Sequence, residues 1–180
     1  MFTLSQENTP ALPILPALTA FSAAVTLGLT GGIAGFFYAY ACSVMVGLEV
    51  IDPRQAIVAM QGINATVRNV AFAPAFFGTP VAALVTALLF AHRRRKTAAW
   101  CMAAAALVYM TGAFLPTLLV NVPMNEALAQ LSVPDNPAEA ARVWSDYARP
   151  WTWWNILRTA FSLLALLLVG LALFVSRTRP

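Results

Sequence analysis

Four long stretches of the chain are apolar and almost free of charge: Leu15–Leu48, Val70–Ala91, Thr97–Val120 and Trp153–Val175. Each is long enough to cross a bilayer, for which about 20 apolar residues suffice. Polar positions collect between them. The pattern predicts an all-α, integral membrane four-transmembrane-helix bundle with short external helices, in a single domain over residues 1–180. The first stretch exceeds one crossing, so it either tilts and projects from the membrane or bends near Gly31-Gly32. It is not a signal peptide, because its flank Met1–Pro10 has no Lys or Arg and its apolar length exceeds the roughly 7–15 residues of a signal core. Residues 1–14 read as a flexible leader.

The connections set the orientation. His92-Arg93-Arg94-Arg95-Lys96 is a short basic turn between the second and third stretches, and short basic loops stay in the cytoplasm. Arg177 and Arg179 agree with that side. An even number of crossings then puts both termini in the cytoplasm, and the connections 49–69 and 121–150 outside. All the acidic residues but Glu7 fall in those two connections. In the first, Asp52-Pro53 supplies an N-cap residue and a proline at the first helical position, which predicts a helix from Pro53 to about Arg68. In the second, Pro123 starts a short helix to about Leu131, and Asn136-Pro137-Ala-Glu139 opens another to about Tyr147. Pro150 precedes the last crossing, and Pro116 predicts a kink in the third. Gly28, Gly31, Gly32 and Gly35 give small-xxx-small spacings in the first helix. These predict close packing within the bundle, with approach of a flat ligand or dimerisation as alternatives.

Composition agrees: hydrophobic residues make up 60% of the chain and charged ones 10%, with a mean hydropathy of +0.73. The net charge of +4 follows from the cytoplasmic basic turn and gives no case for nucleic-acid binding. Cys42 and Cys101 are not spaced as a redox pair and read as small apolar packing residues. His92 is the only histidine, so bis-histidine haem ligation is excluded. No His, Asp or Glu falls in the middle of a membrane stretch, which leaves no ligand set for zinc or di-iron. No resident metal or cofactor is expected.

Candidate chemistry concentrates between Asn121 and Arg158. Trp151, Trp154, Asn155 and Arg158 are spaced i, i+3, i+4, i+7 and share one helical face. Asn121 and Asn125 end the preceding crossing, and Gln61, Asn64 and Arg68 share a face of the first external helix. Topology brings all of them to one side of the membrane. An arginine one turn inside a membrane helix is costly unless paired or lining a wet cavity, and Glu49, Asp52 and Glu126 are the acids that topology brings near enough to pair with it. Trp151, Trp153, Trp154 and Tyr147 also fit an interfacial aromatic belt. Amides facing lipid would lose their hydrogen bonds to water, so an internal polar network or a bound ligand is the better reading of Asn155 and Arg158.

The segments Gly35-Phe-Phe-Tyr-Ala-Tyr-Ala-Cys-Ser43, Met60-Gln-Gly-Ile-Asn64, Asn121-Val-Pro-Met-Asn-Glu126 and Trp144…Trp151…Asn155…Arg158 resemble those of the anthrone oxygenase-like family of four-helix membrane proteins. The resemblance extends over nearly the whole chain. It implies a small hydrophobic ligand, aromatic or quinone-like, and a cofactor-independent monooxygenase: characterised fungal members oxidise an anthrone to an anthraquinone with molecular oxygen. An anthrone enolate reacts with oxygen without a metal. Such an enzyme binds a flat aromatic, assists proton removal and stabilises an oxyanion. On that reading Asn155 and Arg158 are the catalytic pair, and Gln61, Asn64, Arg68, Asn121, Asn125, Trp151 and Trp154 bind substrate. Glu126 or Glu49 would be the base. The expected setting is a bacterial inner membrane, with lipid and a small hydrophobic molecule as partners and the oligomeric state open. The alternative is a non-enzymatic membrane protein, a subunit of a partner complex or a small-solute transporter, whose polar residues order the external helices. An enclosed cavity would favour the first, a filled hydrogen-bonded core the second.

Overall fold

The structure is a computed structural model, and it describes residues 14–177; the expected leader lies outside them, apart from Ile14. It is all-helical over those residues. Four helices are long and apolar enough to span a membrane: α1 (Ile14–Glu49), α3 (Phe72–His92), α4 (Lys96–Ala129) and α5 (Pro137–Arg177). The short α2 (Pro53–Thr66) lies between the first two. The protein is an integral membrane four-helix bundle. Large apolar side chains cover its outside: Leu88, Leu119, Leu167 and Phe174 are each about 70% exposed, a surface that water would not tolerate and lipid tails solvate.

Two cores divide the molecule. The larger runs through the membrane-spanning part and packs Ile33 and Phe37 of α1, Phe76 of α3, Met102 and Tyr109 of α4, and Ala165 and Val169 of α5. The smaller lies between α2 and the outer ends of the long helices, around Ile57, Met60, Leu128, Trp144, Tyr147 and Trp151. Polar contacts also bridge α1 and α3: the Thr86 hydroxyl shares hydrogen bonds with Ser22 at 2.7 Å and Thr26 at 2.9 Å. In lipid such pairs hold helices together without a hydrophobic driving force between them.

Several expected breaks are absent. The α-helix of α1 runs unbroken through Gly31-Gly32 to Ala39, and at 36 residues the helix is about 54 Å long, so it projects beyond the membrane. Its irregularity is a wide π-helical turn at Tyr40–Val44. The expected stop near Asn121 and restart at Pro123 also do not occur. π-Helical turns at Met110–Phe114 and Thr117–Asn121 precede Pro116 and Pro123, and the widened backbone accommodates a residue that lacks an N–H and crowds the preceding turn. The helix therefore continues to Ala129.

The largest correction concerns α5. A helix to Tyr147 and a separate crossing after Pro150 were expected, but one helix of 41 residues passes through Pro150. Trp144, Tyr147, Ala148 and Trp151 are buried along one stripe that extends across the proline, while Pro150 and Asp146 are exposed.

The expected close packing of the α1 glycines within the bundle is absent as well. Gly28, Gly32 and Gly35 have nothing within 4 Å of where a Cβ would stand, and Gly31 meets only Leu166 at 3.9 Å. Three of the four face outward. The close helix contact is elsewhere, at Gly112 of α4 against Phe161 of α5. Cys42 is exposed on the outer apolar surface and Cys101 is half-buried, so only Cys101 fits a packing role.

Candidate functional site: a cavity with a buried arginine

Between the two cores lies a cavity of about 330 Å³, within the range of small-ligand sites. Its apolar wall is aromatic: Phe36, Phe37 and Tyr40 from α1, Phe72 and Phe76 from α3, and Trp151 from α5. Its polar wall is Thr117, Asn121 and Asn125 from α4 with Asn155 and Arg158 from α5. Asn64 and Arg68 stand toward the aqueous side. Phe77 and Leu118 line it as well, and both are also exposed on the outer surface, so the cavity reaches the lipid-facing side between α3 and α4.

Arg158 is 4% exposed and Asn155 0%. Asn155 is locked at both ends of its amide: Nδ2 donates to the Phe37 carbonyl at 2.9 Å, and Oδ1 accepts from Arg158 Nη2 at 3.1 Å. The other guanidinium arm, Nη1, donates to Thr117 Oγ1 at 3.2 Å. The guanidinium carbon lies 4.6 Å from the centre of the Phe37 ring and 5.1 Å from that of Trp151. Two of the wide helical turns supply this shell, since Thr117 and Asn121 bound one of them and Tyr40 begins another. Such turns recur at functional sites because they re-aim side chains that a regular helix would send elsewhere.

None of the acids expected to pair with Arg158 does so. Glu126 instead meets Arg68 at 3.4 Å in an exposed pair, and Asp52 meets Arg54. A cation–π contact contributes about 0.5–2 kcal/mol, whereas taking an ion out of water costs several. Arg158 is therefore held in place but not electrically compensated. Its Nε has no hydrogen-bond partner, and neither amide atom of Asn121 has one, although Asn121 is only 1% exposed. Buried polar groups without partners are few in native structures, and each calls for an explanation.

The remaining residues singled out in the sequence divide. Asn125 belongs to a bonded layer above the cavity: its Oδ1 accepts from Tyr147 Oη at 2.9 Å and Trp151 Nε1 at 2.8 Å, and Asn64 Nδ2 donates to Tyr147 Oη at 3.2 Å. Gln61 donates to the carbonyls of Leu128 and Leu131 and lies outside the cavity, tying α2 to the end of α4. Trp154 also lies outside it, half-buried and edge-on to Trp153. At 100° per residue it stands at the margin of the face that Trp151, Asn155 and Arg158 share. Neither Glu126 nor Glu49 is among the cavity's lining residues. Sequence reasoning missed Phe36, Phe37, Tyr40, Phe72, Phe76 and Thr117, although the i, i+4 pairs Phe36/Tyr40 and Phe72/Phe76 were visible signals. Among the described residues no group of three His, Cys, Asp or Glu converges that could hold a metal ion.

The sequence model of the anthrone oxygenase family matches residues 68–168, more than half of the chain. The chain belongs to that family. The match covers α3, α4 and α5 as far as Leu168, Asn155 and Arg158 included, and leaves out α1 and α2. No curated protein and no solved structure matches the chain.

Proposed function

We propose that this member of the anthrone oxygenase family binds a small planar hydrophobic molecule, aromatic or quinone-like, in the cavity and oxidises it with molecular oxygen without a bound cofactor. The observation that carries the reading is one cavity with an aromatic wall facing a fixed guanidinium. Phe36, Phe72, Phe76 and Trp151 line the cavity with aromatic carbon against which a flat ligand packs. Arg158, oriented by Asn155 and Thr117, stabilises negative charge on a substrate oxygen. The two are the catalytic candidates, with Asn64, Arg68, Asn121, Asn125 and Trp151 around the ligand. For an anthrone, the methylene carbon becomes a carbonyl: one oxygen atom of O2 forms the new C=O bond, and the other leaves as water with the two methylene hydrogens. A lipophilic substrate reaches the cavity from the bilayer beside Phe77 and Leu118.

The alternative, a partner-complex subunit or transporter, draws support from the bonded layer of Asn64, Asn125, Tyr147 and Trp151. That layer is filled; the space beneath it is open, which favours a ligand. The test is oxygen uptake and anthraquinone absorbance in lipid nanodiscs supplied with anthrone. Wild-type protein is expected to consume oxygen and anthrone one to one, above spontaneous oxidation. Asn155→Leu with Arg158→Leu is expected to lower the rate about 100-fold with an unchanged size-exclusion profile. A wild-type rate equal to that of empty nanodiscs defeats the enzymatic reading.

A further inference from the structure

We infer that the cavity takes its ligand as an anion, a planar aromatic carrying one ionised oxygen, whose charge is met by Arg158 and whose oxygen is also bonded by Asn121. The inference rests on the cavity being a ligand site, as proposed above, and adds the charge state and the group that reads it.

Three independent observations converge. Arg158 is buried without a carboxylate partner among the described residues. Its Nε donor is unused, as are the donor and acceptor of the buried Asn121 amide. Both residues line the same cavity, opposite a wall of aromatic side chains from α1 and α3. A neutral hydrocarbon would leave the cation uncompensated and three polar atoms unsatisfied. A neutral ketone would engage a donor and leave the charge as it was. An ionised oxygen supplies both the counter-charge and the acceptor, and a charge-assisted hydrogen bond is roughly twice as strong as a neutral one.

The groups around Arg158 support no internal counter-ion. The titratable side chains facing it are the phenols of Tyr40 from α1, Tyr109 from α4 and Tyr147 on α5, and phenols are ordinarily neutral near pH 7. Tyr109 is committed as a donor to the Phe76 carbonyl and Tyr147 to Asn125. From α3 only the rings of Phe72, Phe76 and Phe77 and the methyl of Ala73 face the cavity. Arg68, just after α2, adds positive charge at the rim, where Glu126 offsets it.

The probe is 2-hydroxyanthraquinone, whose visible absorption moves to longer wavelength on ionisation, with unsubstituted anthraquinone as the uncharged shape control. Full-length protein in nanodiscs is titrated with each at a pH where the dye in empty nanodiscs is neutral. The wild type is expected to bind the hydroxy dye with the anion's spectrum and at least about tenfold more tightly than anthraquinone. Arg158→Met should return the bound dye to its neutral spectrum, Arg158→Lys should keep the anion's, and Asn121→Leu should weaken binding of the hydroxy dye more than that of anthraquinone. A neutral spectrum on the wild type overturns the inference without recourse to any variant, and equal affinity for the two dyes does the same. If neither dye binds, the ligand site itself fails, and the functional proposal falls with it.

Discussion

Of the chain's glycines, Gly112 is the one most closely covered, by Phe161 of the neighbouring membrane helix. A Cβ at Gly112 would collide with the ring and Cβ of Phe161, whereas one at Gly28 would meet nothing within 4 Å. Gly112→Ala is therefore expected to destabilise the bundle by about 1–3 kcal/mol, the usual cost of overpacking. Gly28→Ala should be neutral or stabilising by up to about 1 kcal/mol, because glycine is a poor helix residue. Thermal denaturation of both variants in the same detergent distinguishes them, and equal shifts would contradict the packing described. Arg158 and Trp154 differ in their surroundings too: Arg158 is buried and Trp154 half-buried. Both lie on one end of a helix, but only Arg158 points where other helices close around it.

At the scale of elements, α2 depends on its first turn. Asp52 accepts from the Arg54 backbone N–H at 2.9 Å and from its guanidinium at 3.0 Å and 2.6 Å. The side-chain hydrogen bonds, then the backbone one, hold the Asp52 carboxyl down at about 2, below the unfolded value of roughly 3.9. A depressed carboxyl pKa contributes stability that is complete above the unfolded value and is lost as pH falls through the folded one. Asp52 is partly exposed at the surface, so the effect is local and screened by salt. Melting of the external layer, followed through the fluorescence of the buried Trp144, should show no pH dependence from this group between pH 7 and about 4, where its contribution is complete. The difference between wild type and Asp52→Asn should shrink from about pH 4 to about pH 2. A difference that is constant across that window would separate Asp52 from the cap. The long helices illustrate the opposite case, in which buried stripes override local breakers: α5 continues through Pro150 because Trp144, Tyr147, Ala148 and Trp151 bury together.

On the scale of the whole molecule, the start of α1, the turn between α3 and α4 and the end of α5 meet at one end. Thr19, Arg93 and Arg177 line one groove there. The cavity and α2 occupy the other end. The basic turn predicts that the first end faces the cytoplasm, and labelling tests that orientation. In a background with Cys42→Ala and Cys101→Ala, Thr97→Cys is expected to react with a membrane-impermeant maleimide only after permeabilisation. Asp135→Cys should react in intact cells, and the reverse pattern would invert the topology.

The sequence by itself determined the class of fold, because only a helix satisfies every backbone group in lipid while presenting about 20 apolar side chains. It also placed Asn121, Asn155 and Arg158 together, since their polarity is conspicuous in an apolar run and helical spacing fixes their face. What the tertiary structure decided depends on distance in space. Which acid meets Arg158, whether Gly28 or Gly112 lies at a helix contact, and which side of α5 Trp154 takes are set by the packing of other helices. The continuity of α4 and α5 through their prolines was likewise illegible locally, because a π-turn or a buried stripe offsets a breaker only once its neighbours are in place. The sequence identified a polar end to the bundle; the structure made it a cavity with an uncompensated positive charge.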